Sequence, residues 1–326
     1  MFLSVIIPVY ISKYFSADRL ILSLEGYNCQ TLSVDRFEII VIDDGSYIDV
    51  EAEVRNKIDI RSNIRFYRFE HKGMCSAINM GVNKSKGDLL LVGVDDDVPE
   101  RKALEKALEY FAKSKNERLV GIAKEPFLNY VAGMKNIIKP EFFRGINKYE
   151  YCEKYGNELS EFSGISVSDI ANRFDELLKL GQDIKVNRQF EYFLNNSKLK
   201  SYHWLTVRPG NLFIYKSFLN EIGGFETDFD PSGWYSDLEL GYRISNTGGE
   251  VVYLNQVVLL HLNHIRLFSN PKEEERCYDL LANKYRNNID ILFLPLLWLD
   301  SDLGLYSKYL QRIKKYIQLA DRIEEK

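Results

Sequence analysis

The chain is predicted to be an α/β protein built on a Rossmann-like, mostly parallel central sheet flanked by helices. Two observations lead there. Through the N-terminal third, apolar β-rich runs alternate with helix-compatible stretches, the signature of βαβ units. The runs themselves, such as VIIPV and EIIVI, are apolar at consecutive positions, as strands covered on both faces are.

Taken in order, strands are expected at residues 3–9, 37–42, 64–69 and 89–94, with helices near 19–26, 50–60 and 76–84 between them. A helix near 101–113 and a strand near 118–123 follow. Residues 125–205 are rich in Lys, Glu, Tyr and Phe with helical periodicity, and read as a helical insertion. Strand-like sequence returns at 211–215, 250–254 and 257–262, and the remainder reads as a helical, basic-amphipathic tail holding one apolar cluster, LFLPLLWL, at 292–299. In parallel sheets ligands bind beyond the carboxyl ends of the strands. Function is therefore to be sought at Tyr10, at Asp43-Asp44-Gly45-Ser46, at Glu70-His71-Lys72-Gly73 and at Asp95-Asp96-Asp97.

Composition narrows the class. A length of 326 residues suits one large domain or two modest ones. Lys plus Arg number 43 against 47 Asp plus Glu, a net charge of −4, which argues against a nucleic-acid partner. Cys29, Cys75, Cys152 and Cys277 form no CxxC pair, so they read as reduced, mostly buried thiols of a cytoplasmic protein. The opening MFLSVIIPVY has no basic stretch before its apolar run and is broken by Pro8, unlike a signal peptide. Elsewhere no run approaches the ~20 apolar residues of a membrane span.

Four clusters can carry chemistry. Asp95-Asp96-Asp97 puts three carboxylates directly after a buried strand, where a divalent cation would offset their repulsion. If that segment is extended, Asp95 and Asp97 face one way and Asp96 the other. The bland alternative is a solvated acidic turn capping the next helix. Asp43 and Asp44 at a strand tip can accept from a base or from ribose hydroxyls, or can serve turn and capping chemistry. Ser236 and Glu239 have capping-box spacing, so a helix is expected to start at Ser236 with Asp237 in its first turn, where the dipole favours the ionised form a general base needs. Glu239 and Arg243 are spaced for an ordinary i,i+4 pair. His261 and His264 make an H-x-x-H, by itself a weak metal signal. No GxGxxG follows a strand, no GxxxxGK[ST] occurs, and VYISKYF after the first strand lacks the Gly/Arg-rich loop of a nucleotidyltransferase.

Together these segments resemble the family 2 glycosyltransferases, which have the GT-A fold. SVIIPVY is similar to the family's first strand, EIIVIDDGS to its second, and GMCSAINMGVNKSKGDLLLVGVDDD to the helix running into its Asp-x-Asp strand. GNLFIYKSFLNEIGGFETDF followed by SDLELGYRI is similar to the acceptor-side segment. The resemblance spans about residues 1–125 and 207–265. It implies a nucleotide-sugar-binding half at 1–125, a helical insertion at 126–206, an acceptor and catalytic half at 207–265 and a helical tail at 266–326. It implies that Asp44 bonds the nucleotide base beside Asp43, with Pro8 and Tyr10 lining the pocket. Asp95 would touch the ribose or the metal, and Asn79 and Asp96 belong to the same nucleotide-sugar site. Asp97 would hold the Mn²⁺ or Mg²⁺ that bridges the diphosphate, with His261 as a further ligand and His264 as second choice. Asp237 would be the base of an inverting transfer of a hexose from a UDP-sugar to a hydroxyl of a glycan or lipid-linked acceptor, as in polysaccharide biosynthesis. Three positions depart from the family pattern: Ile11 for Asn, Ile78 for Arg, and Ser236 for the Glu before the base. The last also fits a catalytically weakened, nucleotide-sugar-binding or partner-binding relative. The tail has two readings: peripheral contact with the inner face of the membrane or a protein partner, or cover for the fold's own core.

Overall fold

The computed structural model describes residues 1–13, 15–129, 165–182, 185–263, 271–286 and 288–292, with isolated positions at 294, 311, 312 and 314. The N-terminal strands are β1 (Leu3–Val9), β2 (Phe37–Asp43), β3 (Ile64–Arg68) and β4 (Leu89–Val92). They pair in the order β3-β2-β1-β4, all parallel. Helices α1 (Asp18–Asn28), α2 (Val50–Arg55) and α3 (Met74–Lys84) connect them. The sheet continues through β8 (Leu212–Tyr215), β6 (Leu119–Lys124) and β9 (Glu250–Asn263) to β5 (Asp97–Pro99), with β7 (Phe127–Asn129) also paired to β9. Strand β8 is antiparallel to both neighbours, and β5 is antiparallel to β9.

Period-2 alternation feeds two cores, one on each face. Ile6, Leu90 and Val92 point to a cluster completed by Ile78 and Val82 of α3. Val5, Ile7, Leu89 and Leu91 point to the opposite one, against Leu20 and Leu24 of α1 and α4 (Ala103–Lys113). This is why the strands read as continuously apolar.

Two expectations change. The segments at 250–254 and 257–262 are one strand. Asn255 and Gln256 are exposed and polar and imitate a turn, but the ladder absorbs them by a register slip at Ala123/Lys124. The insertion is not purely helical among the described residues. It opens with β7, followed by α5 (Val167–Leu180), α6 (Lys185–Leu194) and a 3-10 segment (Ser197–Thr206).

Helices α7 (Lys216–Glu221) and α8 (Ser236–Asn246) follow β8, and α9 (Pro271–Lys284) and α10 (Ile289–Leu292) form the described tail. Of the apolar cluster, Leu294 is fully buried with Leu281 and Ile291, while Leu292 is 38% exposed. The rest of it lies outside the described residues, as do His264 and Cys152. No helix among the described residues is long and apolar enough to cross a membrane.

Candidate active site

Strand β4 stops at Val92 and the chain turns at Asp95 and Asp96 before re-entering as β5. The turn is needed because β5 runs back along β9, and it overturns the simple alternation expected of an extended Asp95–Asp97. Asp97 pairs in register with His261 of β9, which is flanked on its other side by Phe127 of β7. His261 Nδ1 lies 2.8 Å from Asp97 Oδ1 and 3.6 Å from Asp96 Oδ1. Ligand-capable atoms of Asp96, Asp97 and His261 all fall within 4.8 Å of one another, the one such group among the described residues. All three are buried, at 5%, 0% and 4% exposure. Asp95 instead pairs with Arg19 of α1 at 3.3 Å.

The electrostatics are those of an acidic pocket closed off from water. Burial pushes the Asp97 carboxyl up, and Glu125 and Asp96 add to the rise against the opposing imidazole. Burial works against a charged His261, but Asp96, Asp97 and Glu125 overcome it and raise its pKa to about 9. Asp97 Oδ2 is buried with no hydrogen-bond partner among the described residues. Such an oxygen is costly unless something positive meets it. A divalent cation held by Asp96, Asp97 and His261 fits this donor set. Gly210 keeps the space open: its φ is +105°, and a Cβ there would sit 2.9 Å from Asp97 Oδ2 and 3.2 Å from Glu125 Oε1.

At the β1 and β2 ends, Asp44 is buried, and both its oxygens have protein donors. Oδ1 accepts from the Lys72 N–H at 2.8 Å and Oδ2 from the Gly73 N–H at 2.9 Å, with His71 Nδ1 also 2.8 Å from Oδ2. The Tyr10 ring, 41% exposed, stacks on the His71 ring at 4.3 Å and 24°. Pro8 pairs with Ile42 in the β1–β2 ladder just below. Asp43 shapes the turn, accepting from the Ser46 N–H at 2.8 Å with Arg68 Nε 3.6 Å away. Asn79 is half-buried on α3; its amide donates to the Phe225 carbonyl at 2.7 Å and accepts from the Phe225 N–H at 2.8 Å, so it straps α3 to the segment after α7. Ile11 is buried and its N–H meets Ser46 Oγ at 2.9 Å, and Ile78 is wholly in the core, so these two departures are packing positions.

Helix α8 does begin at Ser236, but Ser236 is not its cap. Tyr235 holds that place with φ 63°, and the buried Ser236 hydroxyl donates to the Gly233 carbonyl at 2.7 Å. Asp237 is half-buried, its Oδ1 accepting from the Leu238 N–H at 2.8 Å. Burial outweighs these backbone donors and the nearby Arg208 charge, and raises its pKa to about 6 rather than lowering it as the helix start alone would. It is still ionised at neutral pH. Glu239 is fully buried and bonded to Arg243 (2.6 Å), Lys284 (2.9 Å) and Tyr285 (2.8 Å), a frame of charges and not a reactive group.

Three residues at the site carry no role in the sequence reading. His71 and Glu125 follow β3 and β6, so the rule that function lies beyond strand ends reaches both. Arg208 has no sequence signal. It pairs with Glu125, sits 2.8 Å from Asn187 Oδ1 on α6 and lies over the Phe190 ring.

This architecture is shared with GT-A glycosyltransferases of known structure. S. aureus TarS 1-349 in complex with UDP-GlcNAc superposes with a TM-score of 0.52 at 15% identity, covering 90% of this chain and 70% of that one. GalNAc-T7 with UDP, GalNAc and Mn²⁺ gives 0.53 at 15% identity, covering 88% and 49%. The sequence model for glycosyl transferase family 2 matches residues 4–172, more than half of the chain, and the chain belongs to that family. It is 25% identical to chondroitin synthase of Escherichia coli over 256 residues, and spans 76% of itself but only 32% of that protein. It is 24% identical to an uncharacterized glycosyltransferase of Haemophilus influenzae over 221 residues, covering 62% of this chain and 85% of the relative.

Proposed function

We propose that the protein is a cation-dependent, inverting glycosyltransferase that moves a hexose from a UDP-sugar to a hydroxyl of a glycan or glycolipid. The observation that carries this is the buried Asp96–Asp97–His261 group with its unpartnered Asp97 oxygen, set at the strand ends of a family 2 fold. The UDP-sugar and Mn²⁺ bound by the fold relatives, and the chondroitin synthase relative, support the donor class.

A divalent cation bound there would supply charge neutralisation for a leaving diphosphate. The chain's own residues do the rest. Tyr10 and His71 offer a stacking face for the uracil, with Asp44 holding the His71–Gly73 loop against it. Asp237 takes the proton of the acceptor hydroxyl as the new bond from that oxygen to the anomeric carbon forms. The bond from the anomeric carbon to the diphosphate oxygen breaks, its electron pair leaves with UDP, and the configuration inverts.

The test is transfer or hydrolysis from a panel of UDP-sugars with Mn²⁺ and with EDTA. UDP release that needs the cation supports the reading. UDP-sugar binding without turnover for any acceptor tried would instead favour the weakened relative to which Ser236 points, and no binding at all would remove both.

A further inference from the structure

The first turn of α3 leaves backbone N–H groups that the helix itself cannot satisfy. Two carboxylates from opposite parts of the chain hold this helix start and the loop before it. Asp44 takes the N–H groups of Lys72 and Gly73, just ahead of the first turn. Asp230, 155 positions beyond Cys75, takes the Cys75 N–H at 2.9 Å, the Ser76 N–H at 2.9 Å and the Ser76 hydroxyl at 2.6 Å. The fit at the junction is close. Gly73 has φ +125°, and a Cβ on it would lie 2.4 Å from Asp230 Oδ1 and 2.6 Å from Pro231 Cα.

Asp230 is itself anchored. Arg276 of α9 donates to its carbonyl at 2.8 Å and to that of Asp228 at 2.9 Å. From Asp230 the chain closes a turn, with the Gly233 N–H on the Phe229 carbonyl at 2.9 Å, and enters α8 with Asp237. The loop with the stacking His71 is thus gripped from one side by Asp44 and from the other by the segment that leads to Asp237. The cation group stands on β5, β9 and the turn before β5, outside this grip.

We propose that Asp230 is a positioning residue for the donor: by capping α3 it sets the His71–Gly73 loop at the height where the nucleobase of a nucleoside diphosphate stacks, without touching the nucleotide. This rests on the reading of Tyr10 and His71 as the nucleobase face.

The experiment is calorimetry on the full chain with uridine, UDP and Mn²⁺ alone. Asp230→Ala should weaken uridine and UDP by the same factor, roughly three- to thirtyfold from the loss of a cap. Asp230→Asn, which keeps an accepting oxygen, should recover most of it, and Mn²⁺ binding should stay within twofold of the parent. If Asp230→Ala leaves uridine binding unchanged while Tyr10→Ala weakens it, the proposal falls and the nucleobase reading stands. If Tyr10→Ala has no effect, the nucleobase reading fails and takes the proposal with it. Equal loss of Mn²⁺ binding means general damage and also overturns it. Should Asp230→Ala not fold, Ser76→Ala removes only the hydroxyl contact; a loss of at least twofold for uridine is expected, and no loss is a refutation.

Discussion

His261 Nδ1 and Asp97 Oδ1 face each other at 2.8 Å across the β5–β9 ladder, joining positions 164 residues apart. The hydrogen bond needs a proton between the two atoms, and a cation taken by both would displace it, so this pair is where cation dependence is to be tested. Asp97→Ala and His261→Ala should each abolish the cation dependence of UDP binding measured by calorimetry, while uridine alone binds both variants as it does the parent. Retained cation dependence in either variant would show that the ligands lie elsewhere.

Gly210 supplies a second view of the same pocket. Its positive φ and the 2.9 Å approach to Asp97 Oδ2 leave no place for a methyl group. Gly210→Ala should therefore lower Mn²⁺ affinity by at least tenfold, in a titration followed by calorimetry, because the added carbon stands where the cation meets the carboxylate. Unaltered affinity would mean that the cation approaches from another side.

Asp237 yields a paired expectation. As a base it must be ionised, and with its pKa raised to about 6 the rate should fall as pH drops through that value and level off above it. Asp237→Asn should cost ~10²–10⁴-fold in turnover with UDP affinity intact. Its effect on stability has the opposite sign. A carboxyl raised in the folded state costs stability once pH exceeds its unfolded value, so the Asn variant should melt higher than the parent at pH 7.5, and the advantage should shrink as pH falls below about 6 and be gone near pH 4. A variant that is inactive and also less stable at pH 7.5 would contradict the burial argument.

Glu239 is the contrast. Its buried carboxylate pairs with Arg243 on its own helix and ties α8 to the end of α9 through Lys284 and Tyr285. Removing one partner of such a network leaves uncompensated charge, so Glu239→Ala should lose roughly 3 kcal/mol in chemical denaturation. Below the melting range kcat should hold within a few fold. A collapse in kcat with stability unchanged would move the base from Asp237 to Glu239.

Much of this was legible in the sequence, because the parallel half is written by a local rule. Leu89 to Val92 are all apolar since each alternate residue feeds a different core, and no long-range information is needed to see it. The Asp97–His261 contact was legible only through family resemblance, since neither residue predicts the other at such separation. Three features had no readable signal. The turn at Asp95–Asp96 depends on β9 being present to pair with β5. The left-handed Tyr235 displaces Ser236 from the cap despite its favourable spacing from Glu239. Arg208 finds Glu125 and Asn187 only because α6 packs beside the end of β6.

Strand β9 has a consequence for the order in which the protein is made. It is the last strand of the described chain, yet it lies inside the sheet between β6 and β5 and brings the only histidine of the acidic group. A nascent polypeptide on the ribosome exposes all three aspartates long before His261 emerges. Until β9 threads into its slot, β5 and β7 have no sheet neighbour, and the carboxylates face water instead of an imidazole. Such late, non-local pairing is slow. Assembly of the Asp96–Asp97–His261 group is therefore one of the closing events of folding, and a chain ending before β9 would lack both its histidine and the partner strand of β5.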